Sequence, residues 1–177
     1  MQIQEKIKYV IVLMLENRSF DHLCGYLRQS NADIDGILQT EFNLMNPSDT
    51  NSERVGVSDS APFVPDLNPG PGHNVRDVKI QLDPRGGGTL TMDGFVYDYA
   101  QQTGVTELDA KRVMQCFSPA KLTVITTLSR QFVICDRWHS SLPGPTWPNR
   151  LFVHCATSGG FVVNNPHEFA MLQSLKI

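Results

Sequence analysis

One threonine stands in a turn whose residue types could support catalysis. Thr146 follows Pro143, Gly144 and Pro145, which exclude helix and sheet and predict a rigid loop. Pro148 then suits the first turn of a new helix, where its missing N–H costs nothing. The hydroxyl would therefore lie between a strand end and a helix start, where an α/β fold places a nucleophile or an anion-binding group. A plain connecting loop is the alternative interpretation.

A carboxylate and a carboxamide stand at a second predicted strand end. The apolar run of residues 9–15 predicts a strand buried on both faces, and Glu16 and Asn17 follow it directly. Strand ends of this kind border the binding crevice of open α/β sheets, and hard oxygen ligands suit a divalent cation. We therefore predict a metal site here. The alternative is helix capping, in which Ser19 or Asp21 would cap a helix over residues 20–27, and the two interpretations are compatible.

The elements that must position these groups alternate along the chain. Phe132–Cys135 is a second apolar run and predicts a buried strand before the threonine turn. Apolar residues at helical spacing predict helices over residues 111–114 and 119–130. Residues 41–75 are rich in Asn, Asp, Ser, Pro and Gly, which predicts a long surface excursion. This order favours one α/β domain with its site at the strand ends.

Composition and charge exclude several classes of function. The formal net charge is −3 and the basic residues are scattered, so the sequence predicts no positive surface potential that would bind nucleic acid. No apolar run is long enough for a transmembrane helix, and no signal-peptide cleavage site follows the first residues, which predicts a cytoplasmic location. The spacing of the four cysteines (Cys24, Cys116, Cys135 and Cys155) fits neither a zinc site nor a CxxC motif, and we expect no disulfide framework. Cys135 and Cys155 lie in apolar segments, which predicts buried free thiols.

Four motifs, in order, resemble those of the bacterial-type phosphoesterase family. That family groups non-haemolytic phospholipases C, their plant and fungal relatives, and related acid phosphatases, and it is similar to the alkaline-phosphatase superfamily. The resemblance covers most of residues 7 to 160. The matching segments are residues 12–22 (VLMLENRSFDH), 71–73 (PGH), 92–96 (MDGFV), and 135–139 (CDRWH) with 144–150 (GPTWPNR).

The resemblance implies an alkaline-phosphatase-like sheet with flanking helices, and it implies roles for individual residues. Thr146 matches the nucleophile position, and a divalent metal ion is implied at Glu16, Asn17 and Thr146. An alcohol is a weak nucleophile until a metal or base activates it, and a cation also neutralises charge on phosphoryl oxygens. The substrate contacts that we expect are Asn17, His73, Asn149 and Arg150.

The implied activity is that of a phospholipase C, which splits a glycerophospholipid such as phosphatidylcholine into diacylglycerol and a phosphorylated head group. Thr146 favours this over an acid phosphatase acting on monoesters, because some phosphatase relatives carry Ser there. A third hypothesis is a catalytically incomplete fragment that acts only by binding. For Asn149 and Arg150 a structural role in the turn is an equal alternative, and we assign no histidine as general acid.

The sequence departs from the family pattern after residue 160. The later metal ligands of the family form an Asp-rich motif well downstream, whereas residues 161–177 contain one acid, Glu168. The three predicted ligands supply about half of the roughly six oxygens that a hard cation takes. We therefore expect residues 1–177 to be the N-terminal portion of a truncated catalytic domain, completed by a missing C-terminal half or a second chain. Many relatives are secreted, so this copy would work inside the cell or have lost its leader.

Overall fold

The computed structural model describes residues 7–13, 18–63, 67–167 and 170. Within these residues no helix is both long enough and apolar enough to cross a membrane. The helices and strands are α1 (Phe20–Cys24), β1 (Phe42–Leu44), β2 (Arg54–Gly56), α2 (Val75–Leu82), α3 (Phe95–Ala100), α4 (Glu107–Lys111), α5 (Thr123–Gln131) and α6 (Thr146–Cys155), with 3₁₀ turns at Gly25–Gln29 and Arg112–Met114.

A small antiparallel sheet lies within the segment predicted as a surface excursion. β1 pairs with β2, with Asn43 opposite Val55. Side chains of Asn46 and Asp49 accept hydrogen bonds from backbone amides two residues ahead, which forms the tight turns between the strands. Leu44 and Val55 are buried. The segment therefore contributes to the core as well as to the surface.

The main core forms where the sheet meets α3 and α4. Val55, Val96, Tyr99 and Ala110 pack together, and Val96 is completely buried. The buried amide of Val96 donates to Asn43 Oδ1, which satisfies a backbone donor at the start of α3. A second buried cluster lies beside α1 and combines Tyr26, Ile37 and Cys116 with the partly buried Val57.

The predicted helices are present with shifted boundaries. The helix expected over residues 20–27 is α1, continued by the 3₁₀ turn at Gly25–Gln29, and Ser19 Oγ accepts from the His22 amide as a cap. The helix expected over residues 119–130 is α5, which begins at Thr123. Pro119 stays outside it because its carbonyl accepts the Thr126 hydroxyl instead.

Neither of the two predicted buried strands is formed in the part of the chain that the structure describes. Residues 9–13 and Phe132–Cys135 have no strand pairing, and both runs are largely exposed, with Ile11 at 92% and Val133 at 91%. A strand needs a neighbouring strand for its N–H and C=O groups, and the only named strands in the described residues pair with each other. In place of the α/β sheet expected from the sequence, the described residues form mixed helices and one two-stranded antiparallel sheet.

The expectation of buried thiols is also wrong. Cys135 and Cys155 are both exposed, although neither forms a disulfide.

Candidate active site

Thr146 is the first residue of α6, as the proline pattern predicts. Pro145 precedes it as the N-cap residue in extended conformation, and Pro148 is buried in the first turn. Neither proline loses a hydrogen bond there, because the first N–H groups of a helix have no intrahelical partner. The Thr146 side chain is half-buried. It is therefore presented at the positive end of a ten-residue helix.

Asn149 fixes the loop that leads into Thr146. Its Oδ1 accepts from the Leu142 amide at 2.9 Å, and its Nδ2 donates to Leu142 O at 3.0 Å. The same Nδ2 lies 3.1 Å from both Gly144 O and Pro145 O. The carboxamide predicted as a substrate contact thus turns back from α6 onto the loop before it.

Asn164 contacts the backbone directly after Thr146. Its Oδ1 accepts a 2.8 Å hydrogen bond from the backbone amide of Trp147, the second residue of α6. Sequence reasoning did not find this residue, because it lies seventeen positions downstream in a segment without a recognised motif. The one available signal is that Pro145 has no side-chain acceptor with which to cap the helix.

The segment that carries His73 reaches the threonine turn. A Cβ placed on Gly144 would lie 3.1 Å from Val75 Cγ2, so the loop packs against the first residue of α2. His73 lies two residues before that contact, with an exposed ring whose Nδ1 is 3.3 Å from Pro71 O. Asn74 and Asp77 form a capping box that fixes this end of α2. The structure therefore brings two of the predicted motifs together.

Arg150 shares a helix face with Thr146. The two residues are four positions apart on α6, which places their side chains one turn from each other on the same face. Arg150 is half-buried. A guanidinium can bind phosphate through two parallel hydrogen bonds, and the substrate contact expected for Arg150 stays a prediction.

Glu16 and Asn17, two of the three predicted metal ligands, lie outside the described residues. Thr146 is the one predicted ligand among the described residues. Elsewhere in the described part of the chain, no group of three or more His, Cys, Asp or Glu side chains could hold an ion. The predicted donors are a carboxylate, a carboxamide and a hydroxyl, and this chemistry fits a hard divalent cation.

His22 closes the first motif and is held as a neutral ring. Burial lowers the pKa of His22, and the positive charge of Arg18 lowers it further. The ring packs edge-on against Phe117 with centroids 5.0 Å apart. Its buried Nε2 has no hydrogen-bond partner among the described residues. The residue also lines a cavity of about 30 Å³. This environment fits a packed histidine rather than a cation that binds phosphate.

Comparison with known proteins identifies what the chain is similar to. Residues 7–175 match the model of the Phosphoesterase family. The chain is 42% identical over 160 residues to Non-specific phospholipase C1 of Arabidopsis thaliana, covering 90% of this chain and 29% of that protein. It is 40% identical over 171 residues to Non-specific phospholipase C5 of the same plant, covering 89% of this chain and 31% of that protein.

A bacterial relative matches the same part of the chain. Phospholipase C A of Mycobacterium tuberculosis strain H37Rv is 32% identical over 154 residues, covering 82% of this chain and 28% of that protein. The chain thus spans less than a third of the length of each of these three relatives.

Proposed function

The chain belongs to the phosphoesterase family, and from that premise we propose that it carries the nucleophile of a phospholipase C. The proposed reaction hydrolyses a glycerophospholipid such as phosphatidylcholine to diacylglycerol and a phosphorylated head group. The observation that carries the proposal is the placement of Thr146 as the first residue of α6, on a loop fixed by Asn149. Similarity to non-specific phospholipases C favours a diester substrate.

The Thr146 hydroxyl is the proposed nucleophile. Its oxygen would form a bond to phosphorus, and the glycerol oxygen would leave with a proton as diacylglycerol. Water would then release the phosphorylated head group and restore the hydroxyl. The positive end of α6 favours the anionic phosphoryl group at this position. Arg150 on the same helix face, together with His73 near the loop, would contact the phosphoryl oxygens or the head group.

Glu16, Asn17 and Thr146 are the proposed ligands of a divalent metal ion, and Asn17 would also contact the phosphoryl oxygens. When bound, such an ion activates the hydroxyl and neutralises charge on the phosphoryl group. Three protein oxygens leave about half of the coordination shell to water or to other protein groups.

We further propose an alkaline-phosphatase-like sheet for the complete domain of the relatives. Residues 9–15 and Phe132–Cys135 would be two of its strands. Their apolar composition and the exposure of their described residues support this assignment, because such runs are stable in water only when covered.

Hydrolysis of a phosphocholine diester, with and without added divalent metal, tests the proposal. If residues 1–177 suffice for catalysis, we expect metal-dependent turnover that falls to background in Thr146→Ala. Thr127→Ala is the matched control, because Thr127 lies exposed on α5 and its hydroxyl donates to Thr123 O. Full activity of Thr146→Ala would contradict the proposal.

Two further outcomes separate the alternatives. Preferred hydrolysis of a simple aryl monoester, lost in Thr146→Ala, would identify an acid phosphatase instead. A folded wild-type chain without turnover on either substrate would support the third hypothesis, a chain that acts only by binding.

A further inference from the structure

The N-cap residue of α6 forms no side-chain hydrogen bond to the first turn of the helix. A helix normally satisfies the amide of its second or third residue with a Ser, Thr, Asp or Asn side chain at the N-cap position. Pro145 occupies that position and has no polar side chain, while Pro148 at the third position has no N–H. The Trp147 amide is therefore the donor that a cap would have to satisfy.

The chain returns to supply this cap. After α6, Ala156 adopts a left-handed conformation with φ 58°, and Gly159 and Gly160 follow with φ 63° and 86°. The helix is about 15 Å long, and a return of nine residues can span that distance. Asn164 thereby reaches the beginning of the helix, where its Oδ1 accepts from the Trp147 amide at 2.8 Å.

The two peptide groups that flank Thr146 are each held by an asparagine. Asn149 Nδ2 lies 3.1 Å from Pro145 O, which belongs to the peptide group before Thr146. Asn164 accepts from the Trp147 N–H, which belongs to the peptide group after it. Fixing both peptide planes fixes the backbone dihedrals of Thr146 and hence the direction of its Cα–Cβ bond. Asn149 acts from within α6, and Asn164 acts from the returning segment.

We infer that Asn164 is a positioning residue for Thr146: it caps α6 from outside and so orients the hydroxyl at the helix start. The inference rests on the proposed function for the role of that hydroxyl. The cap itself does not depend on it. Loss of Asn164 would let the first turn of α6 fray and spread Thr146 over several orientations.

A thiol introduced at position 146 reports orientation without any need for turnover. A cysteine at a helix N-terminus has a lowered pKa and reacts faster with iodoacetamide at neutral pH. In a Thr146→Cys background we expect Asn164→Ala to lower the alkylation rate of that thiol about threefold or more at pH 7, because its pKa rises towards the ordinary value. Peptide mapping distinguishes this thiol from the four native cysteines.

The adjacent asparagine provides the control. Asn165 Oδ1 accepts from the His167 amide, so Asn165→Ala removes a local contact in the same segment. We expect this variant to leave the alkylation rate unchanged. Exchange of the Trp147 amide, followed by NMR in the chain with native Thr146, should accelerate in Asn164→Ala and recover in Asn164→Asp, which keeps an acceptor of the same shape.

Two results would overturn the inference. Unchanged exchange of the Trp147 amide in Asn164→Ala would show that the cap does not form. Accelerated exchange with an unchanged alkylation rate would show that the cap stabilises the helix without orienting position 146.

Turnover separates this inference from the proposed function. If the chain hydrolyses the diester, Asn164→Ala should lower kcat with little change in KM, and Asn164→Asp should restore kcat. If Thr146→Ala keeps full activity, the proposed function fails, while the alkylation and exchange results still decide the role of Asn164.

Discussion

At the scale of single residues, the side chains around Thr146 with described contacts form hydrogen bonds to backbone atoms. Asn149 and Asn164 both bind the backbone next to Thr146 in this way. Asn149 uses its carboxamide oxygen and nitrogen on backbone atoms of Leu142, Gly144 and Pro145. These contacts keep a proline-rich loop in one conformation before Thr146. A nucleophile gains from such preorganisation, because small misplacements of a reacting atom cost rate.

Replacement of Asn149 should therefore destabilise the protein. We expect Asn149→Ala to lower the free energy of unfolding by about 1–3 kcal/mol, since the loop amide and carbonyls lose half-buried partners. Urea unfolding measures the loss, and proteolysis should become faster between residues 138 and 145. Asn51→Ala, in the exposed turn between β1 and β2, should change stability little. Unchanged stability with lost hydrolysis would instead support a substrate contact for Asn149.

The sequence predicts Thr146 but not the residue that caps its helix. Pro145 and Pro148 act locally, so their position alone indicates where α6 begins. The contact of Asn164 depends on the path of the chain after Ala156, and that path includes a non-glycine residue with positive φ. A positive φ is uncommon for alanine, and the residue type of Ala156 therefore does not predict it.

At the scale of secondary-structure elements, the end of α2 meets the start of α3 so closely that no side chain fits at position 94. The Gly94 amide donates to Gln81 O at 3.1 Å, and a Cβ on Gly94 would overlap the carbonyl oxygen of Ile80. This contact fixes the start of α3, whose Val96 and Tyr99 fill the main core. The core therefore depends on a glycine within the third sequence motif.

We expect Gly94→Ala to lower the free energy of unfolding by at least about 2 kcal/mol, because backbone must move to remove the overlap. Chemical denaturation gives the value. Gly87→Ala is the control, since a Cβ there meets no atom within 4 Å. Equal stability of the two variants would show that the helices can separate without cost.

A buried carboxylate between α2 and α3 makes stability depend on pH. Burial raises the pKa of Asp98, the hydrogen bond from Gln81 Nε2 at 2.8 Å opposes the rise, and Asp77 adds to it. Because the folded-state pKa exceeds the unfolded value, the charged form costs stability at neutral pH. That cost disappears as the pH falls through the folded-state pKa towards about 4.

Asp98→Asn should remove this pH dependence. The variant should melt above the wild type at pH 7, and the difference should shrink as the pH approaches 4. Asp109→Asn should show the opposite sign at pH 7, because a hydrogen bond from Thr106 lowers the pKa of Asp109 and its charged form stabilises the fold. Thermal melts across this range test both, and a constant difference for Asp98→Asn would contradict the assignment.

Among the described residues the predicted helices are present and the two predicted strands are not, and the difference has a physical reason. A helix such as α5 satisfies its hydrogen bonds within one segment, so local spacing of apolar residues is enough to predict it. A strand needs a partner that the sequence does not specify. Residues 9–13 and Phe132–Cys135 have the apolar composition of strands, but no strand pairs with them in the described part of the chain.

At the scale of the whole molecule, these two runs give the protein an apolar surface that water does not favour. Residues 10–13 are between 68% and 92% exposed, as are Phe132 at 71% and Val133 at 91%. Exposed apolar surface of this kind marks an interaction site or a risk of aggregation. The chain spans less than a third of the length of its relatives. In a protein of that length, the part beyond the match is available to cover these two apolar runs.

The 177-residue chain should therefore bind a hydrophobic dye and self-associate in its folded state. We expect Ile11→Lys with Val133→Lys to reduce both effects and to leave the melting temperature unchanged, because these side chains make little contact in the fold. Val96→Lys is the opposite control and should unfold the protein, since Val96 is fully buried. Dye fluorescence, light scattering and thermal melts provide the readouts. A lower melting temperature in the double variant would show that the two runs already pack within the chain, and the proposed extended sheet would lose its support.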